Sequence, residues 1–99
     1  MTQPASWQDL LQSGAPEVMK VANATRESVL PDGALSNKTK TLMTMLCDAL
    51  LGHDGGVATI ANRAREAGAS EEEIAETVGV AFLMGGLPAL VTGSNAFKK

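Results

Sequence analysis

The chain holds one histidine, His53, in a short turn that reads Gly52-His53-Asp54-Gly55-Gly56. Histidine is the side chain that exchanges a proton near neutral pH, so this turn is the first place to look for acid/base catalysis. The ordinary alternative is a partly exposed residue beside the C-terminal end of a helix, where the dipole favours a positive ring. Asp54 suits the N-cap of the helix that follows. Asp48 lies five residues before His53 and on a different element. One histidine with carboxylates would need ligands from another subunit to hold zinc, so no metal and no cofactor are expected. Lys40, Arg63 and Arg65 are the cations available to hold a substrate carboxylate.

The remaining reactive groups have structural readings. Cys47 is the single cysteine, six residues before His53 and within a helical pattern. In such a place a thiol ordinarily serves as a small core hydrophobe. Gly55-Gly56 could present bare backbone N–H groups to an anion, although flexibility is the commoner reason for paired glycines at a loop–helix junction. Glu71-Glu72-Glu73 is a first-turn acidic cluster that the helix dipole stabilises without a partner. Met19, Met43, Met45 and Met84 read as fillers of core or interface space.

Five or six helices must position these groups. Ser6, with Asp9 three residues on, opens a first helix that carries Trp7, Leu10 and Leu11 on one face and stops at Ser13-Gly14. Pro16 and Glu17 open a second, with Val18, Val21, Ala22, Thr25 and Val29 at amphipathic spacing. Leu30-Pro31-Asp32-Gly33 ends it. Ser36 caps a third helix. Its stripe of Leu42, Met45, Leu46, Ala49 and Leu50 runs beside a second one of Met43, Cys47 and Leu51, an arc wide enough to predict burial on most sides. Gly52 ends that helix. The fourth spans about Gly55 to Ala67 and turns Val57, Ile60, Ala61 and Ala64 inward. Ser70-Glu71-Glu72-Glu73 is a capping box for the fifth, whose buried stripe is Ile74, Val78, Ala81 and Phe82. Gly79, Gly85 and Gly86 allow close approach or a break. A last short helix starts near Pro88 and frays into Ser94–Lys99. No period-two alternation competes, so the chain is read as all-α.

Composition narrows the class of function. A chain of 99 residues is expected to form one domain, with its core over about residues 7–92 and a frayed tail over 93–99. A net charge of −3 without a basic stripe argues against nucleic acid. The only aromatics are Trp7, Phe82 and Phe97, so the core must be built from aliphatic residues and methionine. One cysteine excludes an internal disulfide and suits a reducing compartment. The N-terminus lacks the cationic and apolar regions of a signal peptide, and no apolar run is expected to approach the roughly 20 residues of a membrane span. A soluble cytoplasmic protein is expected. Hydrophobic residues make up 44% of a chain too small to hide them, which predicts a homo-oligomer.

Lys38-Thr39-Lys40, the apolar helix after it, Gly52, the run from Glu66 to Glu76, Gly79-Val80-Ala81 and Met84 to Val91 together resemble the carboxymuconolactone decarboxylase family. More narrowly they resemble its small alkylhydroperoxidase D-like members. The similarity covers about Trp7 to Thr92 and is strongest over residues 66–91. It implies a small all-helical bundle assembled as trimers, or as hexamers of stacked trimers.

The redox branch of that family carries a Cys-x-x-Cys pair at the turn before the fourth helix, with a histidine and a glutamate forming a proton relay to the thiolate. A thiol at a helix N-terminus has its pKa lowered, and its neighbour resolves the oxidised product. In this chain the positions of that group fall on His53, Gly56, Ile60 and Thr41. The relay is absent, and Cys47 lies mid-helix, out of place to substitute. The lactone-decarboxylase branch, which has no cysteine pair, relies on polar residues around the same turn, of which His53 and Asp54 remain. The expectation is therefore an oligomeric family member without peroxidase activity. Two alternatives stand beside it. One is an enzyme using His53 as acid or base on a small carboxylated or lactone ligand. The other is a subunit whose missing residues come from a hetero-partner.

Overall fold

A computed structural model of the chain describes residues 5–98. The reading of the N-terminus as free of a signal peptide rests partly on residues 1–4, which lie outside the described residues, as does Lys99. The chain divides into two compact units, Met1–Pro31 and Asp32–Lys99. Every element among the described residues is helical.

The first unit pairs α1 (Trp7–Gly14) with α2 (Pro16–Val29). Ser6 and Asp9 close a reciprocal capping box: the Asp9 N–H donates to Ser6 Oγ at 3.1 Å and the Ser6 N–H to Asp9 Oδ2 at 3.3 Å. Pro16 sits in the first turn of α2, where its missing N–H costs nothing. Met19 is the buried side chain here, while Trp7, Leu10, Val18, Val21 and Val29 are exposed. The apolar stripes read from the sequence are thus present but uncovered, because two short helices offer each other too little facing surface.

The second unit consists of α3 (Asn37–Leu50), α4 (Asp54–Glu66), α5 (Glu71–Gly93) and a closing 3-10 turn, η1 (Ser94–Phe97). The Asn37 N–H donates to Asp32 Oδ1 at 2.6 Å and the Thr39 N–H to Ser36 Oγ at 3.1 Å, which starts α3. α3 packs on both α4 and α5, and η1 packs on α4. The core holds Met45, Val57, Ile74 and Val78 among alanines 49, 61, 64, 69, 81, 89 and 96. Alanine at so many contacts lets the helix backbones approach closely.

Several expectations for this unit require correction. α3 buries one side only: Met45 and Ala49 are buried, whereas Met43, Cys47, Leu50 and Leu51 are exposed. Cys47 is therefore no core residue. Phe82 is 47% exposed, since it lies beyond the stripe of Ile74, Val78 and Ala81 that meets α3. Asp54 does not cap α4. His53 occupies the N-cap position, without a side-chain cap bond, and Asp54 is the first-turn acid. The tail is not frayed through residues 94–97. Ala96 is 1% exposed, and its carbonyl accepts from Arg65 Nη2 at 2.8 Å.

α5 also overturns the expectation that no apolar segment has membrane-span length. By length and composition alone, Glu71–Phe97 is long and apolar enough to cross a bilayer. Its register, however, places Ile74, Val78, Ala81 and Ala89 in the core of the unit. The helix is broken at Gly86, whose φ of 72° and ψ of −162° are open to glycine at little cost. Pro88 follows the break and so sits in the first turn of a new helical segment, as its lack of an N–H requires. Gly85 meets the end of α3: a Cβ there would lie 2.6 Å from Leu50 Cδ2 and 2.7 Å from Ala89 Cβ.

Candidate functional site

The turn between α3 and α4 is built by a Schellman closure. Gly52, at φ 78°, takes the left-handed position after the helix end. The His53 N–H then reaches back to the Asp48 carbonyl at 2.9 Å, and the Gly52 N–H to that of Ala49 at 3.4 Å. This closure sets residue 53 directly over residue 48. Their side chains meet as well, with His53 Nδ1 2.9 Å from Asp48 Oδ1. The His53 carbonyl next accepts the Val57 N–H at 2.9 Å, so the same residue that closes α3 opens α4.

The pair is asymmetric. The Asp48 side chain is 20% exposed and the His53 side chain 56%. Nδ1 faces the carboxylate, while Nε2 has no hydrogen-bond partner among the described residues. Gly56, in the first turn of α4, lies against the carboxylate: a Cβ at that position would stand 2.8 Å from Asp48 Oδ2 and 3.2 Å from His53 Cβ. A histidine with one nitrogen on a carboxylate and the other open to solvent can take or give a proton at the open nitrogen.

In sequence, Asp48 lies on a separate element from His53, and the two residue types together suggest only a metal site. The missed signal was Gly52. A glycine at this cap position sets the second residue after the helix end over the third from the end, and so brings the two residues together.

The other nominated groups are not gathered here. Along α4, Arg63 lies nine residues beyond Asp54, which is about 14 Å at 1.5 Å per residue. Arg65 is farther still and is bound to Glu71 at 2.7 Å, Asn62 at 2.9 Å and the Ala96 carbonyl. Lys40 lies eight residues before Asp48 along α3, about 12 Å away. Cys47 is an exposed free thiol beside Asp48 in sequence. Of the positions where the resemblance places a relay, Thr41 is buried with its hydroxyl donating to the Asn37 carbonyl at 2.8 Å. Ile60 packs against the core, and Gly56 has no side chain. Among the described residues, no group of three His, Cys, Asp or Glu side chains is placed to hold a metal ion. An open groove of the first unit, lined by Gln12, Glu17, Lys20, Asn23 and Glu27 among others, includes none of the nominated residues.

The model of the carboxymuconolactone decarboxylase family matches residues 16–99. Two solved structures are similar over most of the chain. One is the apo form of a carboxymuconolactone decarboxylase family protein from Legionella pneumophila, 29% identical, with a TM-score of 0.84 over 90% of this chain and 80% of that one. The other, from Burkholderia xenovorans LB400, is described as a carboxymuconolactone decarboxylase. It is 26% identical, with a TM-score of 0.85 over 94% of this chain and 74% of that one. No curated protein matches the chain. The family match takes in more than half of the sequence, and both similar structures have the same helical arrangement. The chain belongs to the carboxymuconolactone decarboxylase family.

Proposed function

We propose that this is an oligomeric carboxymuconolactone-decarboxylase-family protein that lacks the thiol peroxidase centre of its redox relatives. The observation that carries this reading is the α3–α4 turn, where His53, paired with Asp48 at 2.9 Å, and Gly56 occupy the positions of the two cysteines. Thr41, Gly56 and Ile60 supply no ionisable group to support a thiolate. The test is peroxide consumption with a dithiol donor: no turnover above buffer is expected. Turnover abolished by Cys47→Ser would overturn the reading.

The same pair favours a second reading, acid/base catalysis by His53 on a small carboxylated or lactone substrate. Since none of Lys40, Arg63 and Arg65 stands beside His53, the group that holds the carboxylate would come from a neighbouring copy. Release of CO2 from carboxylated lactones, assayed with wild type and His53→Ala, tests it. Activity equal in both would sink it.

Assembly as a trimer or hexamer is supported by the exposed Leu83, Met84, Leu87 and Val91 of α5. The family match from residue 16 onward spans both compact units, which supports one functional domain. Packing of α5 into the core supports a soluble protein, the single cysteine suits a reducing, cytoplasmic setting, and the net charge of −3 weighs against nucleic acid as a partner.

A further inference from the structure

We propose that Asp48 is a positioning residue that holds neutral His53 in its Nδ1–H form, and that Gly56 is the floor that keeps Asp48 in place. This deepens the acid/base reading of His53 and rests on it for its bearing on catalysis. The geometry stands independently of that reading.

An ionised carboxylate has no hydrogen to donate, so a ring nitrogen that meets it must carry the proton. Asp48 Oδ1 lies 2.9 Å from Nδ1, which assigns the proton to Nδ1 and leaves the Nε2 lone pair facing solvent. The free histidine side chain prefers the opposite form, with the proton on Nε2. The contact therefore selects a minor tautomer, in which the exposed nitrogen is the basic one. A substrate reaching this turn meets a proton acceptor at Nε2, and the carboxylate then stabilises the imidazolium that forms.

Two features keep the carboxylate there. The Schellman closure fixes the backbones of residues 48 and 53 through the 2.9 Å bond between them. The first turn of α4 passes so close that a Cβ at Gly56 would stand 2.8 Å from Asp48 Oδ2 and 3.0 Å from its Cγ. Only glycine leaves the carboxylate that seat. The glycine at 56 is thus explained by space rather than by flexibility or anion binding.

Because His53 is the only histidine, its ring nitrogens can be read without assignment in a long-range proton–nitrogen correlation spectrum of the intact protein. The spectrum is recorded well above the ordinary imidazole value of about 6.5. Wild type is expected to show the protonated nitrogen at Nδ1. Asp48→Ala should move it to Nε2. Gly56→Ala should do the same in part, with both members of the pair intact. Circular dichroism checks that each variant folds, and Asp48→Leu, which is similar in size and has no acceptor, replaces Asp48→Ala if the latter does not. A wild-type spectrum with the proton on Nε2 overturns the proposal, as does a tautomer unchanged in a folded Asp48 variant. Catalysis is scored separately. If the tautomer is as stated but His53→Ala leaves CO2 release unchanged, the positioning stands and the acid/base reading fails.

Discussion

Ser70 accepts the Glu73 N–H at 3.1 Å, and Glu73 returns the bond by accepting the Ser70 N–H at 2.8 Å. Lys38 Nζ reaches the other Glu73 oxygen at 2.9 Å, tying the start of α3 to the start of α5. The Ser70 backbone bond first, and Lys38 second, hold the Glu73 carboxyl below its ordinary value. A carboxylate depressed in the folded state adds stability above its unfolded pKa, about 4.3, and that stability is lost as pH falls through the lower folded value. Glu73→Gln is therefore expected to leave a flatter acid limb in a plot of stability against pH, read by urea melts at pH 7 and below 4. A limb as steep as wild type would contradict the assignment. Ser70→Ala removes the cap itself and should cost about 1 kcal/mol. That corresponds to roughly 4–8 °C in melting temperature for a chain of this size.

At the scale of elements, caps and stops in the sequence located α1 to α5, because a cap is a local property of a few neighbouring residues, although the cap of α4 is His53 instead of Asp54. Ser6, Ser36 and Ser70 all cap as their sequence contexts predict. What was illegible depended on residues distant in the chain. The order of η1 comes from Arg65, whose guanidinium grips both oxygens of Glu71, at 2.7 and 2.9 Å, and the Ala96 carbonyl 31 residues away. The site was half legible: His53 stood out by residue type, while Asp48 required the cap geometry of Gly52. Two predictions belong here. Lys lacks the planar fork of Arg, so Arg65→Lys should raise hydrogen exchange at the amides of residues 94–97 while leaving α3 protected. Unchanged exchange would show that η1 is held by packing alone. Gly86→Ala forces a Cβ into a φ of 72° and ψ of −162° at the break in α5 and should destabilise by about 1–3 kcal/mol, read by denaturant melts.

For the whole molecule, the decisive feature is the run from residue 77 to residue 97, which carries no Asp, Glu, Lys or Arg. One face of this run is absorbed by the core through Val78, Ala81 and Ala89. The other leaves Leu83 78%, Met84 72%, Leu87 65% and Val91 62% exposed, and α3 adds Leu51 at 69%. A lone chain would hold this surface in water at about 25 cal/mol per Å² of apolar area. A stable interface needs roughly 1,200–2,000 Å² in total, a scale that several large apolar side chains from each copy can approach. A lipid bilayer is the competing cover, since the same stretch has the length and hydropathy of a span. The two covers differ in a measurable way. If copies of the chain cover the face, the protein purifies without detergent at three or six times its 10.2 kDa mass. Leu87→Glu, at a position already outside the core, should then lower that mass toward a single chain while helical circular dichroism is retained. A wild-type protein that is monomeric in buffer, or that leaves the membrane fraction only with detergent, would overturn the assembly. In that case a cation to hold a substrate carboxylate at His53 could not come from a neighbouring copy.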